Sequence, residues 1–187
     1  MKKIILILAT IVSINAQEIY VSLDGSNLNT GSVDSPYRTI QKAINMSDPD
    51  FSTIYVGPGS FSPDSLLLIE DKNIEIYGSL DNNGNPLTQI GQADDGNNQD
   101  RGGVEMHGGQ ALISGFDFIN ISLHLINYDI FSSLTISNSR FFEFYLNTQN
   151  IFNDDNNGFM KIENSLLDGV YMNQDDYRFD HAEDLIF

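Results

Sequence analysis

The chain has no cysteine and no tryptophan, and only nine of its 187 residues are lysine or arginine. Without cysteine no disulfide can staple the fold, so stability must come from backbone ladders and a packed interior. Against 26 acidic residues the few bases leave a formal charge of −17. Such a charge repels phosphate backbones and anionic headgroups, and no segment gathers lysine and arginine into a compensating patch. Nucleic acid is therefore not an expected partner. Helical periodicity is scarce too. Only Tyr37 to Met46, with Pro36 just ahead, carries apolar positions at helical spacing, Ile40, Ala43 and Ile44 sharing one face. This predicts one short amphipathic helix covering an open core. No apolar run approaches the ~20 residues of a bilayer span, so no membrane span is expected.

The first residues read as a leader. Lys2 and Lys3 are followed by the apolar run Ile4 to Val12 and then the small residue Ala16, the pattern of a secretory signal peptide over residues 1–16. A transmembrane helix or a buried first strand is the alternative. Cleavage would remove two lysines and no acid, taking the charge from −17 to −19. Residues 17–187 then form a single domain, expected outside the cell, secreted or at its surface.

Past the leader, short apolar runs such as Thr53 to Val56, Leu66 to Ile69 and Ile74 to Tyr77 are broken by Gly, Asn and Asp, the pattern of strands and turns. Three segments align without gaps: Leu112-Ile113-Ser114-Gly115-Phe116-Asp117-Phe118, Thr135-Ile136-Ser137-Asn138-Ser139-Arg140-Phe141 and Lys161-Ile162-Glu163-Asn164-Ser165-Leu166-Leu167. Gly and Asn tolerate the left-handed backbone, so Gly115, Asn138 and Asn164 each mark a sharp bend, as do Gly57 and Gly78 upstream. These bends are 21, 37, 23 and 26 residues apart, the period of a solenoid coil with one enlarged turn. The enlarged turn, Asp81 to Asp100, reads as a loop thrown out from a corner. The fold expected is all-β, a right-handed parallel β-helix with a short N-terminal capping helix. Ile113, Ile136 and Ile162 would stack in its core, as would Phe118, Phe141 and Leu167, with Asn138 over Asn164 as an amide ladder. An antiparallel sandwich is the rival architecture.

Ile19-Tyr20-Val21-Ser22, Asp24-Gly25, Gly31, Ser35-Pro36-Tyr37, Thr39-Ile40-Gln41 and Ala43-Ile44 together resemble the opening of secreted pectin-lyase-like β-helix proteins. Thr53 to Phe61 and Asn73 to Ser79 are similar to that family's first two coils. The resemblance implies the β-helix fold. It leaves chemistry open, because that fold carries lyases, hydrolases, esterases, adhesins and surface proteins.

No catalytic set is recognisable. A polysaccharide lyase needs carboxylates that hold calcium beside a Lys or Arg base. Arg140 is the best-placed base, but a surface ion pair with Asp117 or Glu143 accounts for it. The hydrolases of the family carry a Gly-His-Gly and an Arg-x-Lys; His107-Gly108 lacks the preceding Gly, and Arg-x-Lys is absent. Gly59-Ser60-Phe61 imitates a methylesterase motif but reads as a turn. The acidic stretches Asp94 to Asp100, Asp154-Asp155 and Asp175-Asp176 read as solvated loops, so no metal and no cofactor are expected. His107, His124 and His181 have no companions at metal-ligand spacing. Asn45-Met46-Ser47 and Asn120-Ile121-Ser122 are N-glycosylation sequons, making Asn45 and Asn120 candidate modification sites in a eukaryotic source.

The function expected is a secreted or cell-surface β-helix module without catalytic residues, for adhesion or glycan contact, with Tyr128, Phe144 and Tyr145 as candidate exposed aromatics. The alternative is a carbohydrate-active enzyme, a polysaccharide lyase or glycoside hydrolase. Leu185-Ile186-Phe187 ends the chain without an evident cap, so either the tail from Val170 to Phe187 folds over the last coil, or the C-terminal end is incomplete and a continuation or a partner closes it.

Overall fold

A computed structural model of the chain describes residues 16–61, 66–91, 103–126, 132–147, 159–172 and 185–186. The expected leader, apart from Ala16, lies outside them, as do the acidic stretches at 94–100, 154–155 and 175–176. In chain order the elements are β1 (Gln17–Val21), α1 (Ile40–Met46), β2 (Ser52–Val56), β3 (Gly59–Phe61), β4 (Leu66–Gly78), β5 (Thr88–Gly91), β6 (Gly103–Ser114), β7 (Phe116–Ile119), β8 (Ser122–Ile126), β9 (Ser132–Ser137), β10 (Arg140–Asn147), β11 (Phe159–Glu163), β12 (Leu166–Met172) and β13 (Leu185–Ile186).

All pairing between these strands is parallel, and it sorts into three ladders. The first runs β1, β2, the second half of β4, the second half of β6, β9, β11, β13. The second runs β3, β5, β7 and the starts of β10 and β12. The third joins the first halves of β4 and β6 to β8 and then to the ends of β10 and β12. An antiparallel sandwich would need hairpin pairing, which the named strands lack. Among the described residues the protein is mostly β, built of parallel ladders with one helix.

The core follows from side-chain alternation along each strand. Register places Ile19, Ile54, Ile76, Ile113, Ile136 and Ile162 in one inward row, one per rung, and each is buried. β-Branched side chains suit this position because their stiff χ1 packs well on a pleated surface. The second ladder gives a matching row of Phe61, Ile90, Phe118, Phe141 and Leu167. Phe118 and Phe141 stack with ring centroids 4.8 Å apart. The stacking expected of Ile113, Ile136 and Ile162, and of Phe118, Phe141 and Leu167, is therefore present.

The later corners between the first and second ladders are made by left-handed residues. Gly115, Asn138 and Asn164, with φ of 83°, 49° and 50°, turn the chain from first to second ladder, as the repeat predicted. Gly57 and Gly78 depart from that expectation, since neither has positive φ. Gly78 is small for another reason: a Cβ there would lie 2.3 Å from the Gly115 carbonyl oxygen. The expected Asn138–Asn164 amide ladder is not formed. Asn138 Nδ2 donates to Ser114 Oγ at 3.2 Å instead, and serine makes the repeated link. Ser139 Oγ accepts from Phe116 N–H at 3.2 Å and donates to Ser137 O, while Ser165 Oγ accepts from Ser139 N–H and donates to Glu163 O. The short hydroxyl reaches the backbone of the preceding rung, where the exposed amide of the Asn does not need to.

Two further expectations change. The segment Asp81 to Asp100 is not wholly a loop, because Thr88–Gly91 forms β5 between β3 and β7. One inward apolar residue, Ile90, suffices for so short a rung. The helix starts at Ile40 rather than Tyr37, with the Thr39 hydroxyl accepting from Lys42 N–H as N-cap. Tyr37 instead pairs with β1 through Tyr37 N–H to Tyr20 O, 2.9 Å. It is buried against Gly31, where a Cβ would meet the Tyr37 ring at 2.4 Å. The buried face of α1 is Ile40, Ala43 and Ile44, as expected. From its other side Gln41 accepts from Leu68 N–H at 2.8 Å and donates to Leu68 O at 3.0 Å. A side-chain amide thus stands in for a neighbouring strand at the edge of β4.

Candidate functional site

The outward positions of the first ladder carry the most distinctive surface chemistry. Alternation that turns Ile19, Ile54 and Ile76 inward turns the next residue of each strand outward, and register aligns those residues as Tyr20, Tyr55 and Tyr77. Tyr20 and Tyr55 stack with centroids 5.3 Å apart and an interplanar angle of 28°; Tyr55 and Tyr77 follow at 6.1 Å and 23°. Tyr55 is 37% exposed. The position two residues earlier aligns Glu18, Thr53 and Glu75. The Tyr20 phenol donates to Glu18 Oε2 at 3.1 Å and the Tyr77 phenol to Glu75 Oε2 at 3.0 Å. Thr53 offers no carboxylate, so the central phenol of Tyr55 makes no such bond. Partial desolvation, then the bond to the neighbouring glutamate and its charge, raise both Tyr20 and Tyr77 above the ordinary tyrosine pKa. Both phenols stay protonated donors at neutral pH.

The next rungs replace the aromatics with Ser114, Ser137 and Glu163, so the row is confined to the first three rungs. Its sequence signal is the recurrence Glu-Ile-Tyr, Thr-Ile-Tyr, Glu-Ile-Tyr at 18–20, 53–55 and 75–77. Read as strands, these triplets place the isoleucine in the core; only period-2 alternation combined with register shows that the tyrosines share a face. The aromatics expected to mark a binding face are not tested by the described residues. Tyr128 lies outside the described residues, and the side chains of Phe144 and Tyr145 are not among those described.

Arg140 sits one rung from Asp117, as expected. Its Nε donates to Asp117 Oδ1 at 2.6 Å and its Nη2 to Oδ2 at 2.5 Å, a bidentate pair. The Asp117 carboxylate raises the Arg140 pKa further above its ordinary value, which opposes any role as a proton acceptor.

The third ladder aligns histidine and acid positions that are distant in sequence. Register sets His107 beside Glu70 and Glu105 beside His124, and His107 Nε2 lies 2.6 Å from Glu105 Oε1. Among the described residues no group of three or more His, Asp or Glu is arranged to hold a metal ion. His181 lies outside them. Asn45 stands exposed on α1, its Oδ1 accepting from Gln41 Nε2 at 2.8 Å. Asn120 is half-buried with φ of 48°, turning the chain from β7 into β8.

A family model described as "Protein of unknown function (DUF1565)" matches residues 23–185. The chain belongs to this family. The DUF1565 match spans all three ladders and two of the three tyrosines. No curated protein matches the chain. Among solved structures, a chain titled "Rhamnogalacturonan lyase" is similar at 16% identity and a TM-score of 0.42, over 79% of this chain and 38% of that one. This chain thus spans well under half the length of that structure. Among the described residues no helix is long and apolar enough to cross a membrane.

Proposed function

We propose that this DUF1565 protein is a right-handed parallel β-helix module of the cell exterior that contacts glycans without cleaving them. In this reading residues 1–16 are a secretory leader, and α1 caps the first coil. Three parallel ladders joined at left-handed corners support the closed coil, and a right-handed sense accords with the strong preference of parallel crossover connections. The Gln41 amide bonded across the edge of β4 supports the capping role of α1. Asn45 and Asn120 remain the candidate glycosylation sites.

The observation that carries the glycan reading is the row Tyr20, Tyr55 and Tyr77 with its glutamates. Aromatic rings offer apolar surface to sugar C–H groups, while phenol and carboxylate oxygens bond sugar hydroxyls. Electrophoresis through gels containing soluble polysaccharides tests it, together with release of reducing ends or unsaturated products. Retardation that is lost in Tyr55→Ala, with no product, is the expected result. Absence of retardation by every polysaccharide would overturn the glycan reading.

A second reading, a carbohydrate-active enzyme, is favoured by the Glu105–His107 pair beside Glu70. A carboxylate and an imidazole at 2.6 Å are suited to proton transfer. Product release abolished by His107→Ala but retained in Tyr55→Ala would establish that reading over the first.

A further inference from the structure

The charge of the tyrosine row restricts what it binds. Glu18 and Glu75 each accept a hydrogen bond from a tyrosine, yet among the described residues neither belongs to an ion pair with lysine, arginine or histidine. A phenol donor leaves the carboxylate its full charge and most of its acceptor sites. The two carboxylates are separated by the Thr53 rung, hence by two ladder steps or ~10 Å, with the unbonded phenol of Tyr55 between them. Around them lies a chain of formal charge −17, whose field repels polyanions and attracts cations.

We infer that the glycan taken by this row carries free amines: an extended polymer of unacetylated hexosamine, with ammonium groups paired to Glu18 and Glu75 and a sugar seated over Tyr55. The inference rests on the glycan reading above and sharpens its substrate class. Protonated amines are drawn both to carboxylates and to electron-rich rings. In an extended β-1,4-linked chain, alternate residues present their amines to the same side, matching two carboxylates set two rungs apart. A polyuronate would bring carboxylates against Glu18 and Glu75 and is disfavoured at the same place.

Isothermal titration of the full chain with glucosamine oligomers, N-acetylglucosamine oligomers and oligogalacturonate tests this. Four proteins are compared: wild type, Tyr55→Ala, the double variant Glu18→Gln/Glu75→Gln, and the charge-matched control Asp71→Asn/Asp168→Asn, two exposed carboxylates outside the tyrosine row. Thermal melts establish that all are folded. The expected result is preference for the free-amine oligomer, weakened about tenfold in Glu18→Gln/Glu75→Gln, unchanged in the control and weakened by Tyr55→Ala. Equal affinity for the acetylated oligomer, with no response to Glu18→Gln/Glu75→Gln, would overturn the amine inference and leave the glycan reading standing. The same loss in the control would reduce the effect to diffuse attraction and overturn it too. Displacement of the oligomer by a lysine-rich peptide with equal dependence on Tyr55 would assign the row to a peptide instead. No binding by any oligomer would remove the glycan reading with it.

Discussion

Two aromatic rows are built on the same ladder geometry and face opposite ways. Phe118 and Phe141 stack at 4.8 Å inside the second ladder and are fully buried. Tyr20, Tyr55 and Tyr77 stack at 5.3 and 6.1 Å outside the first ladder, with Tyr55 37% exposed. Parity along the strand decides the side, and the side decides the use. An inward ring removes apolar area from water and is held by neighbours all round. An outward ring gains little from burial, so repeating it on three rungs and anchoring two phenols to glutamates makes sense as a surface for contact.

The contrast predicts unequal effects on stability. Phe118→Ala should cost about 3–5 kcal/mol, from lost transfer energy and a cavity in the phenylalanine row; denaturant unfolding measures it, and a cost under ~1 kcal/mol would mean the row is loosely packed. Gly78→Ala should cost about 1–3 kcal/mol, since its Cβ would lie 2.3 Å from the backbone oxygen of Gly115 and neither backbone can yield freely. Asn138→Ala should cost about 1–2 kcal/mol for holding a φ of 49° without the polar side chain that tolerates it. Asn138→Gly, measured in the same series, should recover most of that. Tyr55→Ala, by contrast, should shift stability by under ~1 kcal/mol while abolishing retardation by polysaccharide.

A smaller effect concerns pH. Tyr20 and Tyr77 have folded pKa values above the unfolded one, so the protonated phenol is the form the fold favours. That contribution is complete below the ordinary value of about 10 and is lost as pH rises through the raised folded values. Unfolding curves between pH 8 and 11 should therefore decline less steeply in Tyr20→Phe/Tyr77→Phe than in wild type. An identical decline would show that the phenol–glutamate bonds do not persist in solution.

Much of the fold was legible because a repeated rung of parallel ladders writes itself into the sequence. Ile113, Ile136 and Ile162 recur at a period that only stacking explains, and the bends at Gly115, Asn138 and Asn164 need residues that accept a left-handed backbone. Gly78 shows the limit of that reasoning. A glycine kept for close approach looks the same in sequence as one kept for positive φ, and only the distance to the Gly115 carbonyl separates them. β5 escaped notice because a four-residue rung needs one apolar side chain, too few to show a period. Serine rather than asparagine bridges the rungs, since which short polar side chain reaches the preceding backbone depends on corner geometry.

The site was less legible than the fold. Tyr20, Tyr55 and Tyr77 were visible as strand residues, but their alignment depends on register across rungs. His107 and Glu105 are two apart, so their contact was accessible from alternation alone. The register of Glu70 with His107, and of His124 with Glu105, follows from the pairing of β4, β6 and β8, which sequence spacing does not reveal. Arg140 and Asp117 were legible as neighbours because both lie in the aligned repeat.

The most direct test of the account is an NMR titration of the full chain, with its tyrosine rings isotopically labelled, against a soluble glycan that retards it in gels. The account predicts shifts confined to Tyr20, Tyr55 and Tyr77, each assigned by its Phe variant, with the glycan's own signals broadened but chemically unchanged. Shifts centred on other tyrosines, or new reducing-end or unsaturated-sugar signals growing with time, would contradict it.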